Sequence, residues 1–197
     1  MAVINICAKL VNGLDVSCVA PVRKAFQQLV LINKDDIETY SKVLPDPETG
    51  ECNYKVTFNL KPGTKGYRIS GATGGSSFFG SFDKSRSDLG YAQYIHNLSL
   101  LIAGISEASK CVLDSLDKGQ FVGAIQWTDG TVEIYGIDNG LTTGDYTYDV
   151  QGGGGGTAIL LSSLEDAPES YIPLIYESEI PGNEGADFDD DFENPLT

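Results

Sequence analysis

At 197 residues, with 41% hydrophobic and 21% charged side chains, the chain is long enough to fold one domain around a substantial core and too apolar to be wholly disordered. A net charge of −15 repels phosphate and so excludes a protein that grips nucleic acid by neutralising its backbone. No run of about 18 apolar residues exists to span a membrane, and the apolar run near Met1 lacks a preceding basic stretch, so cytoplasmic synthesis without a secretion signal is expected.

Glycine, at 23 residues without a Gly-x-y period, indicates many tight turns of the kind all-β proteins use. Residues 1–20 mix a short apolar run with Asn12-Gly13 and end before Pro21, which predicts an N-terminal arm or edge strand. The run Phe26–Ile32 is bounded by Asn33-Lys34-Asp35-Asp36 and reads as a buried strand, although periodicity alone leaves a helix open. Pro45 to Gly50 is a loop. Beyond it, Tyr54, Val56, Phe58 and Leu60 alternate with polar residues and should share one face of a half-buried strand.

Residues 70–90 are rich in glycine and serine and read as a long loop. Phe78, Phe79 and Phe82 within it are costly to leave in water, at about 25 cal/mol per Å² of apolar surface. Either they fold back on the core or a neighbouring subunit covers them, and all three are candidate inter-subunit contacts. Tyr94 to Ile102 reads as the next strand. A helix follows from Ser106 to Lys118: Ser106 caps it, Glu107 favours the positive end of its dipole, and Ala108, Val112 and Leu116 form its apolar stripe with Cys111 and Leu113 beside them. Lys118-Gly119 ends it, and the stripe should lie against a sheet.

Phe121 to Thr128 and Thr131 to Tyr135 flank Asp129-Gly130, a strong hairpin signal because both central residues accept positive φ. Turns at Asn139-Gly140 and Thr143-Gly144 lead through Tyr146 to Val150 and the five glycines 152–156 to a last strand, Thr157 to Leu161. The fold class is mainly β, a β-sandwich or barrel-like sheet pair with one packed α-helix, over residues 21–176. Residues 177–197 carry eight acidic and no basic side chains, and read as an acidic, disordered C-terminal tail.

The constellations that carry catalysis are missing. The glycine run ends in Thr157-Ala158 without the lysine that a phosphate-binding loop needs, and Gly71 to Ser77 lacks that lysine too. His96 is the single histidine and sits inside a predicted strand, where a satisfied structural histidine is the simpler reading than a catalytic base. Asp35-Asp36 and Asp189-Asp190-Asp191 lack the asymmetric environments that separate an acid from a base, and no calcium-loop spacing ends in glutamate. Cys7, Cys18, Cys52 and Cys111 have no zinc spacing and read as reduced thiols. Asn97-Leu98-Ser99 matches a glycosylation triplet by chance. Trp127 with Tyr135, Tyr146 and Tyr148 would suit a carbohydrate-binding face, but core positions for Trp127 and Ile125 are the simpler assignment. No enzyme, cofactor or metal site is expected.

The second half carries a resemblance. The stretch Leu113 to Gln126, followed by Asp129-Gly130-Thr131-Val132-Glu133-Ile134-Tyr135-Gly136, Asn139-Gly140-Leu141 and Gly152 to Leu161, resembles tail-tube-type structural proteins of tailed bacteriophages of Bacteroides-like hosts. Its motifs are glycine and hydrophobic patterns, clearest over residues 90–165 and looser over 20–176. The resemblance implies a non-catalytic virion subunit, made in the host cytoplasm, that forms stacked hexameric rings of a tail tube. Each subunit's sheet would contribute to a continuous barrel, with other tail or neck proteins as partners, no membrane, and DNA as a non-specific passenger. The acidic balance suits such a lumen. A neck connector, stopper or tail terminator of the same particle is the alternative within this class, and a carbohydrate-binding sandwich the alternative outside it. Two features strain the resemblance: the glycine run is unusually long, and the acidic tail has no assigned role in it.

Overall fold

The computed structural model describes residues 26–45, 53–69, 78–87, 90–103, 106–127, 131–148 and 156–177. Their strands are β1 (Phe26–Asn33), β2 (Ile37–Val43), β3 (Lys55–Leu60), β4 (Tyr67–Ile69), β5 (Phe78–Arg86), β6 (Ala92–Ala103), β7 (Phe121–Trp127), β8 (Val132–Tyr135), β9 (Thr142–Thr143), β10 (Gly156–Ser162) and β11 (Leu174–Tyr176). One 3-10 turn, Lys34–Asp36, and one α-helix, α1 (Glu107–Lys118), complete the described elements. The protein is mainly β. A seven-stranded sheet has the order β2-β3-β11-β8-β7-β1-β4, and a four-stranded sheet the order β5-β6-β10-β9. Among the described residues neither sheet closes into a barrel: the outermost strands are β2 and β4 in one, β5 and β9 in the other.

Two apolar cores lie on opposite faces of the larger sheet, as the period of two along its central strands requires. Leu29, Leu31, Phe121, Ile125 and Tyr135 face a core shared with Leu98, Leu100, Ile159 and Leu161 of the four-stranded sheet, so the sheets pack on one another. Val30, Ile32, Val122, Ala124 and Ile134 face the second core with Val56, Phe58 and Leu174. Burial on both faces explains why Leu29 to Ile32 is an unbroken apolar run. Strand wins over helix because β1 gains antiparallel ladders on both edges, with β4 and β7. The alternation predicted from Tyr54 to Leu60 is present: Val56 and Phe58 are buried, with Tyr54 and Leu60 packed at the margin of the same core.

The predicted hairpin is formed by β7 and β8, with Ile125 opposite Glu133 and Gln126 opposite Val132. Its Asp129-Gly130 turn lies outside the described residues. So do residues 1–20, Gly152 to Gly155, residues 178–197, Cys7, Cys18 and Cys52; Cys111, on the helix, is a free, exposed thiol.

Three expectations need correction. Residues 78–86 are a strand rather than loop: β5 pairs with β6 over its whole length, from Phe78 opposite Leu100 to Arg86 opposite Ala92. Gly80 reflects close packing, since a Cβ there would overlap the Tyr135 ring. Second, Thr157 to Leu161 lies in β10 but is not the last strand. β11 inserts between β3 and β8, parallel to β3 and antiparallel to β8. Third, α1 buries Leu113 and Leu116, whereas Ala108, Cys111 and Val112 are exposed. The helix seats a narrow i, i+3 ridge in the core between the sheets rather than a broad stripe on one of them. Its ends fall where expected, at the Ser106 cap, whose Oγ accepts from the Ser109 amide at 3.1 Å, and at Lys118-Gly119; in addition, Thr143 donates to the Leu116 carbonyl at 2.7 Å, satisfying one of the last-turn acceptors.

Candidate assembly surface and the buried polar cluster

The smaller sheet turns Phe78, Leu98, Leu100, Ile159 and Leu161 into the core, and period-two alternation then sends Phe79, Leu101, Ala158 and Leu160 to its other face. Phe79 and Leu160 lie opposite Ser99 from its two sides, and Leu101 lies opposite Ala158, so these four form one contiguous apolar group. Phe79 is 49% and Leu160 43% exposed. A hydrogen bond from Asn97 to the Asp83 carboxylate, at 2.8 Å, borders the group on the same face. The three phenylalanines singled out in the sequence therefore divide: Phe78 is a core residue, while Phe79 and Phe82, the latter 44% exposed, reach the surface. Phe82 lies on the Phe78 side of β5, beyond the cover of the larger sheet, edge-on to Tyr94 with ring centroids 5.9 Å apart.

The second feature was not legible in the sequence. The corner Gly136 to Gly140, between β8 and β9, needs glycine at both ends, with φ of 77° and 79°, and is tied to four separate parts of the chain. From β6, His96, 1% exposed, accepts from the Gly136 amide through Nδ1 at 3.1 Å. Its proton is therefore on Nε2, which donates to the Tyr171 carbonyl at 2.8 Å. Burial holds this imidazole down at about 4, opposed by the Tyr171 bond. Glu169, also 1% exposed, accepts from the amides of Asp138 and Asn139, each at 2.9 Å. Burial raises its pKa and these two bonds lower it, burial being the larger effect. Lys34 donates to the Ile137 carbonyl at 2.5 Å, and Lys42 is ion-paired with Asp138 beside the rings of Tyr40 and Tyr171. Both His96 nitrogens and both Glu169 oxygens are engaged with the protein's own backbone, so the cluster's chemistry is that of a clasp. Serving as a base toward an outside molecule would require breaking those bonds.

The remaining sequence candidates fall apart spatially. Asp36 accepts from Asn33 at 2.7 Å within the 3-10 turn. Trp127 packs at the margin of the core between the sheets, with its indole N–H donated to Glu133 at 2.9 Å; Tyr135 donates to the same carboxylate at 3.0 Å. Among the described residues no three His, Cys, Asp or Glu side chains gather with metal-holding geometry. Comparison with protein-family models, curated proteins and solved structures returned no match.

Proposed function

We propose that this chain is a non-catalytic virion subunit that assembles with copies of itself, and that its place is a phage tail tube of stacked hexameric rings through which DNA passes. The observation that carries the self-assembly reading is the apolar outer face of the four-stranded sheet. Phe79 leaves about half of the roughly 200 Å² an aromatic side chain can bury in contact with water. Covering that half is worth about 2.5 kcal/mol before Leu160 and Ala158 are added. A second copy is the economical cover, because open sheets also leave edge strands whose unpaired backbone groups favour pairing with another chain. The two-sheet fold with one helix is compatible with the tail-tube resemblance, and the acidic balance with a DNA passage. The carbohydrate-binding alternative loses its main anchor, since Trp127 is half-buried with its N–H taken by Glu133.

Electron microscopy and sedimentation of the purified chain test this reading. Rings or tubes are expected from the wild type, and their loss from Phe79→Ser with Leu160→Ser, while the circular dichroism of the variant stays native. A wild type that remains a dispersed monomer at high concentration would overturn the proposal. Phe78→Ser serves as the contrast: it removes a core aromatic and should cost about 3–5 kcal/mol of folding stability whatever the assembly state.

A further inference from the structure

The β5–β6 hairpin outgrows the sheet that covers it. Up to Gly80 its inner face meets Tyr135; from Ser81 to Arg86 every β5 residue is exposed. In register, Phe82 faces His96, Lys84 faces Tyr94 and Arg86 faces Ala92, so Phe82, Lys84, Arg86 and Tyr94 share one face. The face is aromatic and cationic in a chain of net charge −15. Three other lysines are ion-paired, Lys42 with Asp138, Lys55 with Glu177 and Lys118 with Asp114. Lys84 and Arg86 have no carboxylate partner among the described residues.

We infer that this hairpin face is the docking site of the chain's own C-terminal segment Asp187-Phe188-Asp189-Asp190-Asp191-Phe192-Glu193. The segment supplies what the face lacks, five carboxylates interleaved with two aromatic rings, and opposite charges set beside stacked rings are a mutually complementary pair. It can also reach. The backbone of Glu169 is hydrogen-bonded in both directions to that of Tyr94, at 3.1 and 2.8 Å, so the chain passes the hairpin before it ends. β11 and the hydrogen bond from the Glu177 amide to the Val56 carbonyl then hold the chain in the larger sheet, and from Glu177 to Asp187 an extended chain spans up to roughly 35 Å. A segment tethered so closely meets its site at an effective concentration in the millimolar range, ahead of segments from other copies.

Limited chymotrypsin digestion of the full chain, followed by intact mass at low salt, reads the docking as protection of Phe188 and Phe192. Cleavage tracks the undocked population. In the wild type it should be roughly tenfold slower than in Lys84→Glu with Arg86→Glu, the ratio for a segment about nine-tenths docked. Adding Asp189→Lys, Asp190→Lys and Asp191→Lys to that variant should restore protection, and about 1 M salt should abolish it in the wild type. Because both basic residues are exposed, the substitutions leave the core alone; Lys84→Ala with Arg86→Ala, checked by circular dichroism, guards against an effect of the reversed charge. Equal cleavage rates in the wild type and both hairpin variants would overturn the inference. So would protection that grows with protein concentration, which would move the segment onto a second copy.

Discussion

Lowering the pH should strike the clasp at His96 first. Burial holds the folded-state pKa at about 4 against an ordinary 6.5, so the unfolded chain takes up the proton more readily than the native one. The stability this represents is complete above pH 6.5 and is lost as pH falls through about 4. Converted at 1.36 kcal/mol per pH unit, the loss is about 3 kcal/mol. The structural reason is specific: a protonated ring carries N–H on both nitrogens, and Nδ1 would then point a proton at the amide proton of Gly136, which it now accepts. Glu169 works in the opposite direction. Its raised pKa makes the native state the better proton acceptor, so its contribution grows as pH falls through that value. A comparison that isolates His96 is needed for this reason. Urea unfolding of the wild type and of His96→Gln, from pH 7 to pH 4, supplies it: the wild type's advantage at pH 7 should shrink by about 3 kcal/mol at pH 4. Parallel curves for the two proteins would refute the assignment of a neutral, backbone-bonded imidazole.

Glu169→Leu should cost about 2–6 kcal/mol at pH 7 by urea unfolding, since it orphans the amides of Asp138 and Asn139 at about 1–3 kcal/mol each. Gly80→Ala should lower stability by about 1–3 kcal/mol, because its Cβ would overlap a Tyr135 ring whose hydroxyl is fixed on Glu133. The same substitution in a Tyr135→Leu background should cost much less, and equal costs in the two backgrounds would show that the ring is not the obstacle.

Several elements were legible because their signals are local. The alternation of Val56 and Phe58, the cap at Ser106 and the paired runs around Asp129-Gly130 depend on side-chain period and turn chemistry within a few residues. Mainly β character with one helix followed from these. Tertiary structure decided what depends on distant partners. Whether Phe26–Ile32 was strand or helix turned on ladders to β4 and β7. Residues 78–86 became strand against their glycine and serine content because β6 pairs with them throughout. The three residues of β11 carry almost no pattern, and their place between β3 and β8 comes from hydrogen bonds on both edges. The clasp lay furthest from view: Asp138 is 96 residues from Lys42 and 31 from Glu169 along the chain. A buried carboxylate and a neutral histidine acquire their roles only from the amides they meet, and amides leave no mark in a sequence.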